Sequence, residues 1–353
     1  KGENLMKKIK INMLSKADSV EGQGVGSAYL EQVGLLREGA SDVFDIVIND
    51  KNDADIVHVH SINPNFYFKM KNTKGVSVCY VHFLPHTLDG SIKLPKPIFN
   101  IFKKYVIKFY NNADHLVVVN PIFIKDLEKY NIKREKITYI PNYVSKDNFY
   151  KKSKKEKDNI RSELGISKDS FVVLGVGQIQ TRKGVLDFVS VAKSLPDITF
   201  VWCGGFSFGK ITDGYDELKQ VYENPPSNLK FLGIVPRDKM NDMFNMADLL
   251  FMPSYNELFP MAILEAVNIG IPLLLRDLDL YEDILFKKYL SGNNNDEFVL
   301  CIKKLSSDLK FYQKYSKLSD EISDYYSKEN ILKIWIKFYQ DILKEKNKDE
   351  KVK

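Results

Sequence analysis

Apolar positions fall into two patterns that alternate along most of the chain. Short β-branched runs read as buried strands, and stretches with apolar residues three or four apart read as helices. In the first half, strands are predicted at Lys8–Leu14, Phe44–Asn49, Asp55–Ser61, Val76–His82, His115–Asn120 and Lys136–Asn142. Helices are predicted there at Ser27–Glu38, Pro97–Asn111 and Pro121–Tyr130. In the second half, the strands are Phe171–Val176, Ile198–Cys203, Leu229–Val235, Asp248–Pro253 and Ile271–Leu275, with helices at Gly184–Leu195, Lys239–Met246 and Pro260–Ile269. Such alternation is the sequence form of βαβ units and parallel sheets. The fold class is therefore α/β, with two doubly wound, Rossmann-like domains facing a cleft.

The run Lys151–Lys157 is charged, has no apolar period and reads as the linker between the blocks. The domains are set at 1–148 and 149–327. From about Lys328 a long helix carries Ile331, Leu332, Trp335, Phe338, Tyr339 and Ile342. Its apolar face permits it to return to the first domain.

With 353 residues, 44% hydrophobic and 28% charged, the chain has room for about two cores. That balance excludes a mainly disordered, collagen-like or disulfide-dense chain. Cys79, Cys203 and Cys301 are widely spaced and make no C-x-x-C pair, which fits a reducing, cytoplasmic setting. Ile9–Leu14 is short and interrupted by Lys10 and Asn12, so it lacks the form of a secretory signal. The longest apolar runs fall far short of the roughly 18 residues that cross a bilayer. Net charge is +6, which suits phosphates, nucleic acid or an anionic membrane without choosing among them.

The richest chemistry lies after the strand ending at Pro253. There Ser254, Glu257, Phe259, Pro260, Met261 and Glu265 precede Gly270-Ile271-Pro272. Pro260 suits the first helical turn, and free amides around Phe259–Met261 would face an anion. Two flanking glutamates add partners for hydroxyls, as a nucleotide-sugar requires. Glu257 as a loop acid and Glu265 as a solvated helix residue is the bland alternative. A second group, Gly175 to Gly184, sets Arg182 and Lys183 beyond a strand, where two cations can neutralise a diphosphate leaving group. A basic surface loop is the alternative there.

Gly22, Gly24 and Gly26 after the first strand would let backbone approach a phosphate or sugar closely, although Ser27 breaks the dinucleotide fingerprint. All five histidines lie in the first block: His58, His60, His82, His86 and His115. They lack a credible metal spacing, so no metal site is expected. His82 ends a strand on the cleft side and can donate to a sugar hydroxyl or a developing charge. Between Ser91 and Asn112, Lys93, Lys96, Lys103, Lys104 and Lys108 occur without an acid, interleaved with Ile98, Phe99, Ile101, Phe102, Tyr105 and Phe109. This amphipathic, basic helix reads either as an interfacial membrane anchor or as a domain helix with solvated lysines.

Taken together, these residues resemble the retaining glycosyltransferases of family four, which have the two-Rossmann-domain GT-B fold. Three further phrases, Gly22–Gln32 (GQGVGSAYLEQ), Tyr80–Pro85 (YVHFLP) and Gly90–Phe99 (GSIKLPKPIF), resemble bacterial enzymes that add a second α-linked sugar to glucosyl-diacylglycerol. The resemblance implies that Arg182 and Lys183 hold the donor diphosphate and that Glu265 holds the ribose. Glu257 and the Phe259–Met261 amides would hold the hexose and phosphate. His82 would lie near the transferred sugar and Gly24–Gly26 near the reacting centre. It also implies a UDP-hexose co-substrate, glucose or galactose, and no cofactor or metal. The expected partners are a glycolipid acceptor and an anionic membrane at the inner face of the cell membrane, with no nucleic acid. Gln178, Leu258 and Pro260 stand where many relatives carry Arg, Gly and Gly, and Arg276–Tyr281 lacks their usual Thr and Gly-Gly pattern. Diacylglycerol itself or a soluble envelope glycan is the alternative acceptor. A nicotinamide-dependent oxidoreductase and a noncatalytic lipid-binding module are the other classes.

Overall fold

The central β-branched runs become parallel strands because they are buried on both faces and cannot leave a polar side to solvent, whereas the edge strands keep exposed or half-buried positions. The computed structural model describes residues 7–16, 24–88, 95–207 and 209–352. Within them the first sheet holds β1 (Ile9–Leu14), β2 (Phe44–Ile48), β3 (Ile56–Val59), β4 (Val76–Val81), β5 (His115–Val118) and β6 (Ile137–Tyr139). The second holds β7 (Val172–Val176), β8 (Thr199–Cys203), β9 (Leu229–Phe231), β10 (Leu249–Met252), β11 (Leu273–Arg276) and β12 (Leu290–Gly292). Every ladder is parallel. The orders are β2-β1-β3-β4-β5-β6 and β12-β11-β10-β7-β8-β9. Each order reverses direction once, between β1 and β3 and between β10 and β7. Open α/β sheets hold ligands beyond the carboxyl ends of strands at such switch points.

Three apolar clusters cover the sheets. One packs the outer face of the second sheet around Phe188, Trp202 and Phe251. Another packs a face of the first sheet around Val81, Phe109 and Leu116. The third is continuous across both halves, from Ile11 and Val78 to Val172, Phe259 and Leu275. The helix Lys328–Val352 belongs to this shared cluster. It returns to the first sheet as its apolar face predicts: Trp335 stacks on Tyr80 with centroids 5.8 Å apart, and the Tyr339 hydroxyl lies 2.6 Å from His58 Nδ1.

The expected linker Lys151–Lys157 is instead docked. Ser153 and Glu156 form a capping box that starts the helix Lys154–Glu163. Lys152 pairs with Asp242 at 2.5 Å and Lys157 with Asp248 at 2.7 Å. Capping and ion pairs give this segment an order that apolar periodicity does not report. The helices Pro64–Asn72, Tyr215–Glu223, Glu282–Leu285, Asn295–Ser307 and Leu309–Tyr325, and the edge strand β12, are likewise absent from the sequence prediction.

Candidate active site

The loops after β7 and β10 meet at the switch point of the second sheet. They line a cavity of about 540 Å³ whose other wall comes from the first domain. Glycine is what lets the two loops touch. Gly184 has φ 69°, and a Cβ there would lie 2.3 Å from the Pro253 carbonyl oxygen. The Tyr255 amide also donates to the Arg182 carbonyl at 2.8 Å. This contact carries Arg182 and Lys183 to Glu257.

Lys183 is buried, and its ammonium donates to one Glu257 oxygen. Arg182 Nη1 stands 3.7 Å from the other oxygen and donates to the Asn256 carbonyl at 3.0 Å. Burial draws the Lys183 pKa below its ordinary value, the Glu257 charge opposes the change, and the neighbouring Arg182 adds to it. Burial would raise Glu257, but Lys183 and Arg182 outweigh it and hold the carboxyl below its ordinary value. Ser254, itself buried, adds a hydrogen bond to that carboxylate. Arg182, Lys183 and Glu257 all line the cavity.

The following helix, Met261–Ile269, has Pro260 as its N-cap and no side-chain cap. Pro260 therefore lies just outside the helix rather than in its first turn. Having no N–H, it cannot donate, so anion contacts at this terminus fall to amides around it, including those of Phe259 and Met261. The loop is held from the opposite domain. Asn142 donates to the Phe259 carbonyl at 2.8 Å, and Asn120 donates to the carbonyls of Leu258 and Leu280 at 3.1 and 2.8 Å. One turn into the helix, buried Glu265 accepts from Arg237 Nη1 at 2.8 Å. Burial raises the Glu265 pKa, Arg237 draws it back, and Glu31 adds to the rise.

His82 follows β4 and lines the cavity. Its ring stacks on Tyr80 at 4.4 Å, and its Nε2 lies 3.3 Å from His60 Nδ1. Desolvation lowers its pKa to about 3, so the imidazole is neutral near pH 7. It can hydrogen-bond a substrate but brings no positive charge. His58 and His60 are fully buried in the same aromatic stack.

Gly24 and Gly26 lie in the first turn of the helix Gly24–Gly39, which starts three residues before the predicted position. Their neighbours Val25 and Ser27 line the cavity. Gly22 lies outside the described residues, as does Lys93. The basic helix spans Lys96–Asn111 and divides its apolar residues between two directions. Val106, Phe109 and Tyr110 are buried, whereas Ile98 and Ile101 are 54% and 69% exposed. Phe102, expected on the membrane side, is half-buried and lines the cavity. Lys96, Lys104 and Lys108 are exposed; Lys103 and Phe99 are half-buried, with the ammonium 4.4 Å from the ring centroid.

Cavity residues that sequence reading passed over include Asn142 and Arg237. Their only signal is a polar side chain at a strand or helix end, which many solvated residues share.

Family models match both halves: Glycosyltransferase Family 4 over residues 44–148 and Glycosyl transferases group 1 over residues 156–321. The alpha-galactosylglucosyldiacylglycerol synthase of Streptococcus pneumoniae is 46% identical over 336 residues, covering 95% of this chain and 90% of that protein. The chain belongs to glycosyltransferase family 4. The processive diacylglycerol alpha-glucosyltransferase of Acholeplasma laidlawii is a more distant relative of this glycosyltransferase, 29% identical over 82% of the chain and 86% of that enzyme. The GT-B fold is shared with Anabaena Alr3699/HepE solved with UDP-glucose, at a TM-score of 0.76 and 13% identity over 94% of this chain and all of that one. Sucrose-phosphate synthase of Thermosynechococcus elongatus superposes at 0.77 with 15% identity, covering 95% and 99% of the two chains. Among the described residues of the glycosyltransferase, no helix is long and apolar enough to cross a membrane.

Proposed function

We propose that this glycosyltransferase moves a hexose, glucose or galactose, from its UDP-sugar to glucosyl-diacylglycerol at a membrane surface, retaining the anomeric configuration. The observation that carries this reading is the double role of the helix Lys96–Asn111. It turns Ile98 and Ile101 outward among lysines and turns Phe102 into the cavity that holds Arg182, Lys183 and Glu257. A lipid headgroup at the helix would thus lie beside the charged cleft. The likeness to glycolipid synthases over nearly the whole chain supports the same acceptor class.

In this reading Arg182, Lys183 and the helix-start amides hold the diphosphate, and Glu265 holds the ribose. Glu257 accepts from hexose hydroxyls while keeping Lys183 in place. The acceptor oxygen bonds to the anomeric carbon on the face from which the phosphate departs, and a departing phosphate oxygen takes the acceptor proton. Charge grows on that phosphate in the transition state, where fixed cations act most strongly. Neutral His82 and the Gly24–Gly26 turn position the sugar. Charge stabilisation thus comes from fixed side chains and backbone amides of this chain. Residues 1–148 together with 328–353 form the acceptor- and membrane-facing unit, and 149–327 the nucleotide-sugar unit. The enzyme is peripheral, at the cytoplasmic face of the cell membrane. Family membership removes the oxidoreductase alternative.

The test is a liposome assay crossing UDP-glucose and UDP-galactose with diacylglycerol and glucosyl-diacylglycerol, with and without anionic lipid. Transfer to glucosyl-diacylglycerol that rises with anionic lipid is expected. Transfer only to a soluble glycan would overturn the lipid acceptor, and transfer only to diacylglycerol would move the enzyme one step earlier.

A further inference from the structure

We infer that Arg237 couples nucleotide binding to closure of the two domains, through a carboxylate on each side of the cleft. The inference rests on the reading of Glu265 as the ribose ligand. Arg237 opens the helix Arg237–Met246 of the second domain and lines the cavity. Its Nη1 donates to Glu265 Oε1 at 2.8 Å, and its Nη2 donates to Glu31 Oε1 at 2.5 Å. Glu31 belongs to the first-domain helix Gly24–Gly39. The guanidinium also lies 5.1 Å from the ring centroid of buried Phe149, in the segment that joins the two sheets. One cation thus touches the first domain, the second domain and their connection.

Both carboxylates are almost wholly buried, so neither can exchange the guanidinium for bulk water without the domains separating. Glu31 is further fixed from its own domain, since its Oε2 accepts from the Ser145 amide at 2.8 Å. Arg237 occupies only Oε1 of Glu265, leaving Oε2 to accept ribose hydroxyls. Closure brings Glu31 to Arg237, Arg237 holds the Glu265 carboxylate still, and the nucleotide meets a preorganised acceptor. Linkage requires the reverse as well: a nucleotide on Glu265 favours the closed arrangement. Glu31 is absent from the lining of this cavity, so it acts as a positioning residue, holding Glu265 through the shared guanidinium of Arg237.

Calorimetric titration with UDP tests this on the full chain, comparing wild type with Glu31→Gln, Arg237→Met and the double variant. Glu31→Gln keeps an acceptor for the Ser145 amide and should weaken UDP binding about tenfold, a coupling of ordinary size. Arg237→Met should weaken it more, and the double variant should be no weaker than Arg237→Met, because Glu31 then has no guanidinium to act through and its charge only repels Glu265. Small-angle scattering should show ligand-free Glu31→Gln to be more expanded than wild type. Glu31→Asp, which keeps the charge and shortens its reach, should reproduce the loss and serves if the glutamine variant folds poorly. Wild-type UDP affinity in both Glu31 variants, or losses that multiply in the double variant, would overturn the coupling while leaving the donor reading intact. Failure of wild type to bind UDP would overturn the donor reading and the coupling with it.

Discussion

At the residue scale, Lys183 and Glu257 each make the other's burial tolerable. Lys183→Met removes a cation from the diphosphate site and leaves the buried carboxylate with Arg182 and the Ser254 hydrogen bond. The expected loss is about 10²–10³-fold in kcat, as for removal of one transition-state charge partner. A lower melting temperature should accompany it, because breaking a buried pair costs about 3–5 kcal/mol. Steady-state kinetics below the melting point and a thermal melt separate the two effects. The signs of the pH dependence differ between the two glutamates. Glu257 is depressed in the fold, so its contribution to stability is present at neutral pH and is lost as pH falls through its folded value. Glu265 is raised, so its ionisation costs stability as pH rises through its folded value. Arg237→Met removes the charge that draws Glu265 down, and its UDP affinity should therefore climb with pH across a range where wild type is flat. For His82, a pKa near 3 means the rate profile should show no inflection near the ordinary imidazole value. His82→Gln should retain more turnover than His82→Ala, since a hydrogen bond rather than a charge is replaced. Loss of an inflection near pH 6.5 on substitution would contradict this.

At the scale of elements, the helix Lys96–Asn111 shows what a linear pattern conceals. Its apolar residues read as one stripe, yet the amino-terminal turns face outward and the carboxyl-terminal turns face the sheet. Tyr105 and Tyr110 donate to the carbonyls of Ile62 and Phe83 at 2.7 Å each, which pins the helix beside the cleft. Replacing Lys103, Lys104 and Lys108 with Glu should remove roughly 1 kcal/mol of bilayer attraction per lysine, and more through reversal, giving at least about a hundredfold loss of partitioning in sedimentation with anionic liposomes. Undiminished binding would make the helix a domain element only. The strands and the helices on either side of the cleft are legible because burial on both faces demands continuous apolar runs. Arg182, Lys183, Glu257 and Glu265 are legible because they stand in short contiguous groups beyond those runs. Arg237, Asn120 and Asn142 are not, since each acquires its role from a partner more than 25 residues away. The docked segment around Ser153 escapes for another reason: caps and ion pairs order it without any hydrophobic period.

At the scale of the whole molecule, the two domains meet through both polar and apolar contacts. Asn120 spans to two carbonyls of the opposite half, that of Leu258 in a loop and that of Leu280 in the short helix Asp279–Tyr281. Asn120→Ala should forfeit about 1 kcal/mol for each bond, shifting the balance towards an open cleft by roughly tenfold or more. A larger radius of gyration and a higher KM for the donor at little-changed kcat would register that shift. An unchanged KM would assign Asn120 to loop packing alone. The shared apolar cluster makes the return of the helix Lys328–Val352 consequential for synthesis as well as for shape. Trp335, Phe338 and Tyr339 complete the core of a domain whose strands leave the ribosome before those of the second domain. That domain must wait, with part of its sheet uncovered, while the entire second domain is translated. The nascent first half is therefore a natural client for chaperones, and its burial is finished by residues made only after the whole second domain.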